Sequence, residues 1–245
     1  MERYDCRVRI TFARTFATGL VALATPCVAV AVAVLLFLNP VWVGFDQDRS
    51  DVANLTGYTP TQVSQVTGSI LSDLVFGPPT FDYTFPGAPA PVLDAGERSH
   101  MADVRNVLLN LGLVALIAAV ILVAIGLASR GARWFWQAVE AGGKVLAGGV
   151  VVVGLAFALF FDQAFLLFHQ IFFAPGTYMF DVRSEKLVQL FPDQFWSETS
   201  VAIAAAVLGL ALIVVFAAGR IAGRASFAPA SGPASPSPIP PGGSQ

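Results

Sequence analysis

Two histidines, His100 and His169, are the residues of this chain best suited to proton transfer. His100 sits in ERSHMADV, residues 97–104, where a polar stretch turns into an apolar one. Glu97 lies three residues before it and Asp103 three after. On a helix that spacing places all three within about 120° of one face. The positive end of a helix favours Asp103 and disfavours a protonated His100. It therefore favours a neutral imidazole, the form a general base needs. In the plainer alternative Glu97 and Asp103 only start the helix and His100 is wetted at an interface. His169 stands between Phe168 and Gln170-Ile171-Phe172-Phe173. A histidine among so many phenylalanines is either an interface anchor or a reactive group. Asp162 precedes it by seven residues, on nearly the same face and deeper. An ionisable residue at that depth is a functional candidate unless headgroup water reaches it. Two histidines with Glu97 and Asp103 also make a nitrogen and oxygen donor set that suits zinc. There is no Gly-rich phosphate loop, cysteine cluster, G-x-S-x-G elbow or basic nucleic-acid patch.

Positioning these groups falls to apolar helices. Hydrophobic residues make up 56% of the 245 residues and charged ones 12%, about half the charge of a soluble domain. A bilayer core about 30 Å thick takes about 20 apolar residues to cross as a helix. Residues 16–38, 104–128, 145–168 and 200–219 meet that demand. They must be helical, because hydrocarbon offers no partners to open backbone groups. Segments 1–16, 130–144 and 220–245 hold nine Arg/Lys against three Asp/Glu. The remainder holds five against thirteen. Basic residues near helix ends mark the cytoplasmic side. The expectation is an all-α integral membrane protein with four transmembrane helices and both termini inside. Loops 39–103 and 169–199 are then outside, as are the ends bearing His100 and His169. A short inner connector makes the second and third helices expected antiparallel neighbours.

Arg3, Arg7, Arg9 and Arg14 precede an apolar run longer than a signal-peptide core, and no small-x-small exit site follows it, so the first helix is read as uncleaved. Cys6 and Cys27 fall on the cytoplasmic side or within that helix, where a secreted disulfide is not expected. Pro26 is tolerable there because neighbouring helices re-satisfy the freed carbonyl. Asn39-Pro40 ends the span, with Trp42 as an interface anchor. Thr59-Pro60 is a helix start. Val63, Val66, Ile70 and Leu74 then form an apolar stripe, predicting an amphipathic helix over 60–76 that lies on the bilayer or caps the bundle. Thr67 interrupts its second row. Phe81, Tyr83 and Phe85 alternate with polar residues, as in an extended piece. Gly142, Gly143, Gly148, Gly149 and Gly154 open the third helix to close approach. Ser184 signals a short outer helix before Pro192. Residues 225–245, rich in Pro, Ser and Ala, cannot bury a core and are expected to be a disordered inner tail beyond a membrane domain of 1–224.

ERSHMADVRNVL (97–108) and FHQIFFAPGTYMFDVRSEKLVQLFPDQFW (168–196) resemble the two signature regions of the Lit family, the lipoprotein intramolecular transacylases of bacterial membranes. TPTQVSQVTGSILSDLVFG (59–77) resembles the segment between that family's first two helices. The resemblance covers roughly 40–200. It implies a multi-pass protein of the bacterial plasma membrane with its active face outside. The implied reaction moves an acyl chain of a lipoprotein's diacylglyceryl-cysteine from the sn-2 glycerol oxygen to the α-amino group of the same cysteine. The partners are such lipoproteins and membrane lipid, and no cofactor or metal is implied. The family's candidate catalytic histidines fall on His100 and His169. Aminolysis of an ester needs a base, an oxyanion donor and a proton for the leaving oxygen. His100 as base and His169 as donor or acid is one division of labour, and the reverse is the other. Asp103 or Glu97 would orient an imidazole, with Asp162 in a supporting role. A zinc-dependent membrane hydrolase and a non-catalytic membrane scaffold or lipid-binding protein are the competing readings.

Overall fold

The computed structural model describes residues 2–78 and 80–224, with side chains from Phe12 onward. The tail after 224 and the Cys6 side chain lie outside the described residues. Nine helices and no strand occur among the described residues: α1 (Glu2–Phe37), α2 (Pro40–Arg49), α3 (Val52–Thr56), α4 (Pro60–Val75), α5 (Ala95–Ala128), α6 (Arg133–Leu159), α7 (Phe161–Phe172), α8 (Lys186–Leu190) and α9 (Asp193–Arg224). Four are long and apolar enough to cross a membrane: α1 from Phe12, α5, α6 and α9. An even number of crossings puts the start of α1 and the end of α9 on one side. The two long connections, 38–94 and 160–192, therefore share the other.

The bundle is held by its glycines. Pro26 has no N–H, so it frees the carbonyl of Ala22 four residues earlier. That carbonyl points at α6, where a Cβ on Gly142 would lie 2.5 Å from Ala22 O. On the opposite flank a Cβ on Gly143 would meet Val215 at 2.9 Å. Residues without side chains at 142 and 143 let α6 wedge between α1 and α9. Gly148 and Gly149 face open space instead. Gly142→Val is expected to destabilise the bundle by about 1–3 kcal/mol through overpacking against backbone. Gly148→Ala should leave the thermal midpoint in detergent nearly unchanged. Equal midpoints for the two variants would show that the wedge is not needed.

The second and third spans, α5 and α6, are not the paired neighbours their short connector predicts. α5 packs mainly on α1, and α6 packs on α1 and α9. α5 and α6 meet near the connector, where the Phe135 ring fills the space beside Gly126. Beyond it α1 stands between them, which leaves room between their far halves.

That room is roofed by a cap. The predicted amphipathic helix is α4, started by a capping box of Thr59 and Gln62. It buries Val63, Val66, Ile70 and Leu74. They pack with Leu93 and Met101 before and within α5, and with Leu187 and Leu190 of α8. Thr67, the break in the stripe, donates its hydroxyl to Gln47 Oε1 at 3.0 Å. Gln47 Nε2 in turn donates to Leu190 O at 2.9 Å. The short helices α2 and α3 were not expected. Asn39 both ends α1 and caps α2, with its side chain accepting from Val41 N and Trp42 N. Trp42 also ties α2 to α9, since its indole N–H donates to Thr199 Oγ1 at 3.1 Å. Residues 81–85 join no sheet among the described residues, but they alternate as expected, with Phe81, Tyr83 and Phe85 turned inward and Asp82 and Thr84 exposed. Phe81 is fully buried with φ of 48°, and Tyr83 donates its hydroxyl to Asp73 at 2.6 Å.

Candidate active site

α5 begins five residues before His100, at an Asp94 N-cap. Asp94 Oδ1 accepts from Glu97 N at 2.8 Å, and Glu97 Oε2 accepts from Asp94 N at 2.6 Å. This D-x-x-E capping box satisfies two of the N–H groups a helix start leaves open. The other oxygen of Glu97 accepts from Leu187 N, at 2.6 Å, across 90 residues of chain. Both carboxylate oxygens are therefore engaged with backbone and neither reaches an imidazole. Three residues on, His100 is buried between the rings of Phe173 and Phe180, at 4.7 and 5.4 Å. Its Nδ1 has no hydrogen-bond partner among the described residues.

His169 reaches the site on a helix of its own. The expected continuous helix over 145–168 is broken at Phe160, with φ −138° and ψ 51°. α7 restarts at Phe161 and places His169 one turn beyond Phe165. The Nδ1 of His169 lies 2.8 Å from Phe165 O. A carbonyl only accepts, so Nδ1 carries the hydrogen, and in the neutral ring Nε2 bears the free lone pair. Phe165, Tyr178 and Phe173 surround the ring at 4.2, 5.2 and 5.4 Å. Burial among them pushes the imidazole pKa below its ordinary 6.5, and the bond to Phe165 only partly opposes this. The two imidazoles stack with centroids 6.0 Å apart and planes 20° from parallel.

Both rings line one cavity of about 390 Å³. Its walls are almost wholly apolar. The space runs past the histidines to Val34 of α1, Leu108 of α5 and Ile203 of α9. Leu108 is two turns along α5 from His100, so the cavity extends toward the bundle interior. Leu166, Leu167 and Ile171 on the outer face of α7 are exposed, as a surface meeting lipid tails would be. Phe157, Phe165, Phe168 and Phe173 of the aromatic run line the cavity, Phe168 with part of its ring exposed, whereas Phe160 and Phe172 are exposed and lie off it.

The other sequence candidates sit elsewhere. Asp103 does not line the cavity and reaches His100 only as a nearby charge. Asp162 is exposed on the first turn of α7 and also lies off the cavity. No group of three His, Cys, Asp or Glu side chains is arranged to hold a metal among the described residues. Cys27 is a free thiol bonded to Leu23 O within its own helix. The sequence reading missed Tyr178, Phe180 and Asp193, all of which line the cavity. They come from the irregular segment 173–185 and the start of α9, where no periodicity marks which way a residue faces.

The family model for the lipoprotein intramolecular transacylase Lit matches residues 19–196. The chain belongs to the Lit family. Both signature stretches, 97–108 and 168–196, fall within the match. The fold is that of solved Lit structures. One, the membrane integral lipoprotein intramolecular transacylase Lit from Bacillus cereus, shares 19% identity and covers 89% of this chain and 100% of its own, with a TM-score of 0.75. Two further structures of Bacillus cereus Lit, each with a substituted histidine, share 18% identity. They cover 94% and 90% of this chain and 100% and 99% of their own, with TM-scores of 0.72 and 0.71. No curated protein matches the sequence. As a Lit family member with four apolar spans, the chain is a multi-pass membrane protein of the acyltransferase class that modifies lipoproteins.

Proposed function

We propose that this Lit protein uses the His100–His169 pair to move an acyl chain from a glycerol oxygen of diacylglyceryl-cysteine to the α-amino nitrogen of that cysteine. The observation that carries this reading is two imidazoles stacked 6.0 Å apart in an apolar cavity. The Nδ1–H bond to Phe165 supports His169 as the base, the reverse of the first assignment. Its Nε2 takes a proton as the amine nitrogen attacks the ester carbonyl carbon. His100 supplies an N–H to the developing oxyanion. When the carbon–oxygen bond breaks, the imidazolium of His169 returns its proton to the departing glycerol oxygen. One acyl group has then changed atoms, the amine hydrogen has become the hydroxyl hydrogen, and an amine that arrived as ammonium has released one further proton to solvent. No serine or cysteine nucleophile is needed, because the substrate carries its own. Apolar walls keep water, the competing nucleophile, away from the ester.

The charge asymmetry supports an outward-facing cap and histidine pair. A reporter fused after residue 90 should read outside, and one after 138 should read cytoplasmic. A cytoplasmic signal at 90 would put the site on the wrong face for secreted lipoproteins. The activity is tested by expression in a bacterium lacking lipoprotein N-acylation, with mass spectrometry of lipopeptides. The expected product has an unchanged acyl count and one chain on nitrogen. A free amine, under conditions where another Lit protein acylates it, overturns the reading.

Because burial lowers the His169 pKa, its base form persists as pH falls through 6.5. The ring should therefore titrate below 6.5 in the substrate-free protein, read by NMR of labelled histidine with His100→Gln to assign the signal. The kcat profile reads this less directly, since an ammonium bound in the complex must also lose a proton. A His169 titration at or above 6.5 would show that burial does not set its base form.

A further inference from the structure

Among the residues lining the histidine cavity there is one carboxylate, Asp193, on the first turn of α9. It is exposed, so it sits at the cavity mouth. Its acidic neighbours at this end of α9 are engaged. Glu198 pairs with Arg49 at 2.7 Å, and Asp46 accepts the Thr199 hydroxyl at 2.6 Å. Among the described residues no hydrogen bond or ion pair engages the Asp193 carboxylate. Trp196, one turn along the same face of α9, lines the cavity too, 6.0 Å from the Phe165 ring that packs against His169. A run of rings thus connects the turn of α9 that bears the free carboxylate to His169.

The transacylase reading gives this placement a chemical meaning, and the inference rests on it. The reacting nitrogen is an α-amine, with an ordinary pKa of about 7.7–8.0. It arrives largely as an ammonium with three N–H donors. An ammonium entering apolar surroundings is costly unless an anion meets it. We infer that Asp193 binds the α-ammonium of the lipid-modified cysteine at the cavity mouth and sets its nitrogen toward Nε2 of His169. The residue thereby selects substrates whose amine is free over those already blocked. Its placement at a helix start, where a negative charge is also favoured, would by itself give no such selection.

The test uses the full-length protein in lipid nanodiscs and two unreactive probes. Both are diacylglyceryl-cysteine peptides with ether in place of ester linkages, one with a free amine and one N-acetylated. The wild type should bind the free-amine probe about tenfold more tightly, the scale of one charge-assisted hydrogen-bonded contact. Asp193→Asn should lose that preference while binding the N-acetyl probe as the wild type does, which shows an intact cavity. Asp193→Glu should keep part of it, and Asp193→Ser is a second neutral variant read in the same way. A preference that survives in either neutral variant overturns the inference, as does its absence from the wild type. Acyl transfer from the ester substrate is measured alongside. Wild-type transfer together with an unchanged KM in Asp193→Asn sinks the ammonium site alone. A wild type that neither binds the probes nor transfers sinks the transacylase reading with it.

Discussion

Alanine at His100 or at His169 is expected to lower acyl transfer by about 10²–10⁴-fold, the usual contribution of a positioned acid or base. Membrane level and fold should be unchanged. Neither ring belongs to the contacts that wedge α6 between α1 and α9, and α7, which carries His169, has no buried residue. The double variant should be little worse than either single one, because groups acting as a unit are strongly non-additive. Glutamine separates the two roles. At 100 it keeps an N–H donor for the oxyanion, so His100→Gln should retain part of the activity. At 169 it offers no basic nitrogen, so His169→Gln should be as inactive as His169→Ala. Lipopeptide mass spectrometry reads all five variants. Partial activity at 169 with none at 100 would exchange the roles. Full activity in either alanine variant would remove the pair from the reaction.

The sequence carried the spans and the histidine pair because both depend on signals that hydrocarbon enforces. An apolar run long enough to cross must be a helix, and polar residues at its ends stand out. The Thr59-Pro60 start and the Val63–Leu74 stripe of α4 were legible for the same reason. The break at Phe160 was not, since Leu159-Phe160-Phe161 contains neither glycine nor proline. The separation of α5 from α6 was hidden as well. A short connector fixes antiparallel direction, but the choice of neighbour came from Gly142 and Gly143, which admit α1 and α9 to backbone distance. α2 and α3 are brief. Gln47 and Trp42 hold α2 to partners 143 and 157 residues away, and Lys186 donates to Thr56 O of α3 across 130 residues. Long-range hydrogen bonds of this kind leave no local pattern. Glu97 shows the division within one residue. Its capping box with Asp94 is a local D-x-x-E signal, while its bond to Leu187 could be found only in three dimensions.

That second bond gives Glu97 a different task from the one its spacing to His100 implied. It ties α8 to the helix that carries His100, and α8 closes the segment that brings Phe180 to 5.4 Å from the His100 ring and Tyr178 to 5.2 Å from His169. Glu97→Ala leaves the buried Leu187 N–H without its acceptor, a cost of about 1–3 kcal/mol, and removes the capping box as well. Glu97→Gln keeps the volume but sets an NH₂ donor against one of two N–H donors, so it should rescue little. Amide exchange should quicken over 180–190 in both variants, while α6 and α9 keep wild-type protection. Acyl transfer should fall at least tenfold, on the scale of a lost 1.4 kcal/mol. The acid limb of kcat should stay where the wild type has it, because Glu97 makes no bond to either imidazole. The opposite pair of results, a displaced acid limb with unchanged exchange over 180–190, would mean that Glu97 acts on a histidine and that α8 is held by its apolar contacts with Leu93 and Phe191 instead.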